Sequence, residues 1–251
     1  MSTPWLTLVG AAGAPVIPDF GGGGGGGPSC ARRNGTFCWD WFRDNWSDVF
    51  APALGQHVKL TLIAIAVGFP LSALLALLAH RRRRVETPIT IVTGTLFTIP
   101  SLALFQLLVP ITGLSVLTVE IALVSYTLLI LFRNMLAGLR GVPDDVRDAA
   151  RGMGLTDRQV LWRVEMPLAL PAVIAGLRIA TVTVISLATV GAFIVDQGLG
   201  GPIFRAIQSG VFKTELIAAG LLAIMLALVA DGGLVLAQRV LTPWASSGRA
   251  R

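Results

Sequence analysis

The chain has 251 residues, of which 54% are hydrophobic and 14% charged, with a formal net charge of +6. A mean hydropathy of +0.74 excludes an ordinary soluble domain, in which about a quarter of residues are charged, and places the chain among membrane proteins. The basic excess is not a nucleic-acid footprint either, because the 18 Arg and 2 Lys sit mostly in loops between apolar stretches, where they act as topology signals.

In chain order, residues 1–20 are apolar but cut by Pro4, Pro15, Pro18 and Asp19, with no basic residue ahead of them. Neither a signal peptide nor a membrane span is expected there. Gly21 to Gly27 then form a flexible tether. Residues 38–50, CWDWFRDNWSDVF, set Trp39, Trp41 and Trp46 among charges. Two readings stay open for them: an aromatic belt at the membrane–water interface, or a small folded cap on the bundle. The only cysteines, Cys30 and Cys38, lie in this tail, and there is no HExxH or CxxC, so no metal site is expected.

Five apolar segments follow, at 58–79, 88–112, 114–132, 168–195 and 214–237. Each is long enough to cross a hydrocarbon core of about 30 Å as a helix rising about 1.5 Å per residue. Helix is the only open-ended conformation that satisfies its own backbone in lipid. The expected fold is therefore all-α, a polytopic bundle of five core transmembrane helices. Pro100 and Pro110 in the second segment either kink it or sit near its ends. Arg81 to Arg84 follow the first span; Arg133, Arg140, Arg147, Arg151, Arg158 and Arg163 follow the third; Arg239, Arg249 and Arg251 follow the fifth. With five spans these fall on one side. The positive-inside rule makes that side cytoplasmic, with the N-terminus outside and the C-terminus in the cytoplasm. The domain map is an outer tail at 1–55, a membrane domain at 56–240 with a cytoplasmic loop at 142–167, and a cytoplasmic tail at 241–251. On the oxidising side, Cys30 and Cys38 are expected to pair, the alternative being two free thiols.

The loop at 142–167, VPDDVRDAARGMGLTDRQVLWRVEMP, is far more polar than its flanks and reads as two short helices. Pro143 suits a first helical position, and Asp144 and Asp145 complement the helix dipole. Val146, Ala149, Ala150 and Met153 share one apolar face. Gly152 and Gly154 permit a stop and a turn. Thr156 with Gln159 three residues on is a capping box for the second helix, and Pro167 is expected to end it. A short helical knob outside the lipid cannot transport, but a partner can grip it and move the bundle.

Here the sequence resembles the permeases of bacterial binding-protein-dependent ABC importers. Their loop reads EAA, three residues, Gly, nine residues, Ile, one residue, Leu-Pro. This chain has Asp148-Ala149-Ala150, three residues, Gly154, nine residues, Val164, Glu165, Met166-Pro167. The resemblance implies a type I ABC importer bundle, with Asp148, Ala149, Ala150 and Gly154 contacting a cytoplasmic ATP-binding subunit. In this family Ala149 and Ala150 would permit close approach and Gly154 would set the turn. The segments FTIPSLALFQLLVP, DAARGMGLTDRQVL, VEMPLALPAVIAGLRIATV and GLGGPIFRAI resemble the subgroup that imports glycine betaine, choline, proline and carnitine. The family also implies an extracytoplasmic solute-binding protein and a second permease chain, identical or related. The sequence has no GxxxxGK[ST], which fits ATP being bound by a partner and no cofactor or nucleic acid by this chain.

Ionisable residues inside the spans are Glu120, Arg178 and Asp231. Glu120 is read as part of a pathway or as a satisfied helix contact. Arg178 is read as snorkelling and Asp231 as approaching the cytoplasmic interface. The stretch QGLGGP at 197–202, with Gly198 and Gly200, is read as a gate, a binding-protein contact or a plain tight turn. One tyrosine, Tyr126, gives no aromatic cage, so no high-affinity solute site is expected. The rival classes are an importer permease for methionine or sulfonates, a secondary transporter or channel, and an intramembrane enzyme. No internal repeat or catalytic constellation supports the last two.

Overall fold

The computed structural model describes residues 29–245. The polyglycine stretch, the rest of 1–28, and Arg249 and Arg251 lie outside the described residues. Among the described residues all regular structure is helical. Two short helices, α1 (Ser29–Arg32) and α2 (Trp39–Asp44), precede α3 (Ala51–Arg81), α4 (Glu86–Thr98), α5 (Ser101–Thr112) and α6 (Val116–Arg140). Then come α7 (Asp144–Gly152), α8 (Asp157–Val160), α9 (Met166–Gly191), α10 (Gly200–Gln208) and α11 (Lys213–Leu241).

Four helical stretches are long and apolar enough to cross a membrane, and α4 with α5 forms a fifth candidate bent by 100°. The segment expected as one straight span is thus broken. Pro100 is the cause: it fixes its own φ at −54° and forces Ile99 into an extended conformation with ψ 127°. Breaking a helix at membrane depth frees a carbonyl that lipid cannot satisfy. The Tyr126 hydroxyl donates to Ile99 O and closes that gap. Pro110 sits inside α5 near its end.

Contacts fix the directions. Leu60 and Ala64 of α3 pack with Val119, Ala122 and Leu123 of α6, and Ala76 and Ala79 with Leu131 and Met135. Both sequences advance together, so α3 and α6 run parallel, and the bent pair between them must carry the chain back through the bundle. Ile89 at the start of that return packs near Leu136, and Thr112 at its end meets Thr118 at 2.6 Å. α9 runs antiparallel to α6, with Gly191 against Val119 and Ala169 against Gly138. The bent pair therefore counts as one traverse, giving five among the described residues. Arg81, Arg140, the 144–165 loop and Arg239 gather at one end.

α11 stands apart, with Leu221, Ile224, Met225, Leu228 and Val229 exposed, as suits a lipid-facing helix. Arg178 and Asp231, expected as separate near-interface charges, instead join α9 to α11 through two hydrogen bonds of 2.7 and 2.9 Å. At the end opposite the arginine-rich loop, the segment 29–50 folds into a cap. Cys30 and Cys38 form a disulfide with Cα atoms 5.6 Å apart. Trp41 meets Phe212 edge-on at 4.8 Å, and the Cys38 amide donates to Thr214 Oγ1 at 3.0 Å. Trp39 and Trp46 remain exposed, so the tryptophans divide between the two open readings.

Candidate functional site

The loop between α6 and α9 is built from local signals. Asp144 and Asp145 stand in the first turn of α7. The helix ends in a Schellman-type turn: Leu155 N–H donates to Ala150 O and Gly154 N–H to Arg151 O, at 3.2 and 2.9 Å. Gly154 has φ +84° and open space around its absent Cβ, so the backbone angle, not room, requires glycine. The Thr156 amide donates to Gln159 Oε1 at 2.8 Å, as the capping box predicts.

Pro167 does not end the second helix. α8 continues through a π-helical turn, Leu161–Glu165, into α9, so one helical stretch runs from Asp157 to Gly191. A proline lacks the N–H for the carbonyl four residues back and its ring crowds it. Widening the preceding turn accommodates the ring without a stop. No break in the helix thus separates the loop from α9.

The root of the loop is held by charge. Buried Glu165 accepts from Arg147 Nε at 2.6 Å on one oxygen and meets His80 Nε2 at 2.9 Å on the other. Arg147 also donates to Asp144 Oδ1 at 2.7 Å and to Leu139 O at 2.8 Å. One guanidinium thus ties α7 to the ends of α6 and α9, and the shared carboxylate adds the end of α3. Burial works against the Arg147 charge, but the hydrogen bonds to Asp144 and Glu165 outweigh it and raise its pKa above the ordinary arginine value. Beside this set, Arg140 grips Glu86 at the start of α4 with bonds of 2.8 and 2.7 Å. A cavity of about 520 Å³ opens between them, lined by Arg83, Arg140, Arg147, Arg151 and Glu165 among others. Sequence reading treats these arginines as topology signals and Glu165 as a spacer. The signal available in the sequence is an acidic residue in an apolar helix start facing an arginine-rich loop.

The outward face differs from the one expected. Ala150 is 2% exposed and turns into the bundle. Ala149, Val146 and Met153 face outward, Met153 at 75% exposure. Of the two alanines read as one contact pair, only Ala149 is open to a partner in this structure. Asp148 is exposed and pairs with Arg151 at 3.2 Å, while Val164 is half-buried at the loop's root.

The remaining candidates are not brought to this site. Pro100 makes the bend in the second traverse. Gly198 and Gly200 are buried near the opposite end; 200–202 already belong to α10 rather than to a loop. The Gly198 amide donates to Gln56 Oε1 at 3.0 Å and that of Leu199 to His57 Nδ1 at 3.1 Å. His57 Nε2 donates in turn to Ile185 O at 3.0 Å, which fixes its tautomer. A Cβ at Gly198 would lie 2.9 Å from that ring, and one at Gly200 would lie 2.1 Å from Thr189 O. Glu120 is buried in α6. No group of three or more His, Cys, Asp or Glu among the described residues could hold a metal ion.

A family model described as the binding-protein-dependent transport system inner membrane component matches residues 68–243. The choline transport system permease protein OpuBB of Bacillus subtilis is 33% identical over 189 residues, covering 75% of this chain and 86% of that protein. The carnitine transport permease protein OpuCB of Listeria monocytogenes is 34% identical over 189 residues, with the same coverage of 75% and 86%. The osmoprotectant import permease protein OsmW of Salmonella typhimurium is 37% identical over 193 residues, covering 75% and 89%. Among solved structures, a chain of the MetNI methionine ABC transporter in an inward-facing conformation aligns with a TM-score of 0.68 at 18% identity. That alignment covers 74% of this chain and 93% of the other, and speaks to the fold alone.

Proposed function

We propose, for a chain that belongs to the family of binding-protein-dependent transport system inner membrane components, that it is the pore-forming subunit of an ATP-driven importer of quaternary-ammonium compatible solutes. The chain is a multi-pass transport permease of the inner membrane. The solute class rests on relatives whose names specify choline, carnitine and osmoprotectant import. A separate cytoplasmic subunit binds and hydrolyses ATP, an extracytoplasmic protein delivers the solute, and a second permease chain, identical or related, completes the pore. The arginine-rich end is the cytoplasmic one, with the N-terminus outside and the C-terminus in the cytoplasm.

The observation that carries the reading is the geometry of the 144–165 loop. Val146, Ala149 and Met153 form an apolar face that no described residue covers, of the sort a protein neighbour covers. Behind it, Arg147 and Glu165 fasten the loop to three helix ends. A push on the exposed face thus reaches the traverses as a movement of α6 and α9 rather than being absorbed in the loop.

The test is Gly154→Val in the assembled importer. A β-branched residue at φ +84° costs about 1–2 kcal/mol in the left-handed region and displaces the turn behind the contact face. Choline uptake is expected to fall while the partner continues to hydrolyse ATP. Uptake at the wild-type rate in an assembled complex removes the reading. So does labelling of a cysteine placed at Met153 by an impermeant reagent in intact cells.

A further inference from the structure

Among the described residues, Glu120 alone has buried side-chain oxygens without a hydrogen-bond partner; buried Glu215 faces Arg205 at 3.7 Å. Arg178 and Asp231 satisfy each other in a two-bond pair. Both nitrogens of His57 and both carboxylate oxygens of Glu165 have partners. Glu120 is 9% exposed, and neither of its carboxylate oxygens has a hydrogen-bond partner. The buried hydroxyls of the region are already committed to backbone carbonyls: Thr127 to Val124 O at 2.7 Å, Thr61 to His57 O at 2.9 Å, and Thr118 to Gly113 O.

This carboxylate lies in the second turn of α6, within the candidate span Val116–Arg140. Gly68 of α3 lies against Thr127 of α6, where a Cβ would stand 2.0 Å from the threonine oxygen. Stepping back seven residues on both parallel helices (68 to 61, 127 to 120) brings Thr61 and Glu120 to one level. A buried carboxylate without hydrogen-bond partners is costly to keep ionised in apolar surroundings.

We infer that Glu120 is the counter-charge for the quaternary ammonium group of the solute as it passes through the bundle. This rests on the function proposed above and adds a residue to it. A quaternary ammonium carries its charge behind methyl groups and donates no hydrogen bond. It needs a counter-charge in apolar surroundings rather than a fork of polar partners. Glu120 supplies the charge, and Val116, Val119, Leu123 and Val124 flank it on the same helix within one turn. Because the carboxylate is closed off here, contact requires α6 to shift against α3 and α9, the movement that the 144–165 loop is placed to drive. A single charge without hydrogen bonds holds the solute weakly, which suits release over storage.

The experiment uses the complete importer, with its ATPase and binding protein, in proteoliposomes. In assembled Glu120→Gln complex, choline uptake is expected to fall by roughly tenfold or more, and Glu120→Asp should retain part of it. Independently, the wild-type complex is treated with the hydrophobic carbodiimide dicyclohexylcarbodiimide during turnover, and modification of Glu120 is followed by mass spectrometry. Choline should slow that modification, and its uncharged isostere 3,3-dimethyl-1-butanol should not. Uptake within about twofold of wild type in the assembled Gln variant, or modification that choline does not slow, overturns the inference. If the Gln variant does not assemble, the wild-type modification decides. A wild-type importer that moves no quaternary ammonium overturns the functional reading as well, and is recognised before any variant is made.

Discussion

The two ends of the bundle each fasten a loop to the helices, and they use different physics. At the arginine-rich end the 144–165 loop is held by charge: Glu165 joins Arg147 and His80, and Arg147 reaches Asp144 and Leu139 O. At the other end the turn between α10 and α11, which the Arg205–Glu215 pair also spans, is held chiefly by packing and a covalent staple. Cys30 is bonded to Cys38, Trp41 lies on Phe212, and Asn34 donates to Val211 O and accepts from Lys213 N–H, both at 3.0 Å. Charged side chains can exchange partners when a neighbour approaches. Interlocked aromatic rings in a stapled cap have few alternatives. The capped turn has ions too, Arg205 pairing with Asp196 at 2.7 Å and facing Glu215 at 3.7 Å, but only that end adds interlocked rings and a disulfide.

The hardest test of this contrast is Glu165→Ala. It leaves Arg147 and His80 facing a void, and breaking a buried pair by removing one member costs about 3–5 kcal/mol. A clear drop in the thermal unfolding temperature of the purified complex is expected, with loss of uptake; an unchanged temperature would break the claim that charge holds this end. Next in size, the double change Cys30→Ser with Cys38→Ser removes about 2–3 kcal/mol from a loop this short. The loss should be local, read as faster hydrogen exchange over 29–50 and 209–214 with the 144–165 loop unaffected. Smaller again, Asn34→Ala deletes both clasp hydrogen bonds at about 1 kcal/mol each. It also frees Val211, a β-branched residue held at φ 63°, so the same exchange readout should rise at 209–214 alone. Smallest is Arg151→Ala, whose pairs with Asp148 and Asp157 are exposed. Its unfolding temperature should not move measurably, and a large shift would mean that surface pairs also hold the loop.

Much of the basic end is legible in the residues. The Asp148-Ala149-Ala150 and Gly154 spacing identifies the family that the chain matches at 68–243, and the Thr156–Gln159 box forms where it is expected. The stop at Pro167 is not, because a proline signal is local and a π-helical turn can absorb it. Little of the opposite end is legible. The sequence suggests a cysteine pair and leaves the tryptophans with two readings. That Asn34 clasps residues more than 170 positions away has no trace in periodicity or composition.

Hydropathy, charge placement and short-range turn chemistry determined by themselves that the chain is an all-α membrane bundle with most of its arginines at one end and a polar helical loop among them. These are properties of segments, set by the thickness of a bilayer and by hydrogen bonding within a few residues. Only the tertiary structure decided that the second traverse is bent at Pro100, that Ala150 faces in while Ala149 faces out, that Arg178 finds Asp231, and that Glu120 finds no partner. Each of these depends on the axial offset and rotation of one helix against another. A sequence of nearly uniform apolar residues carries little information about either, because in lipid an apolar face is stable whether it meets a neighbour or a hydrocarbon tail.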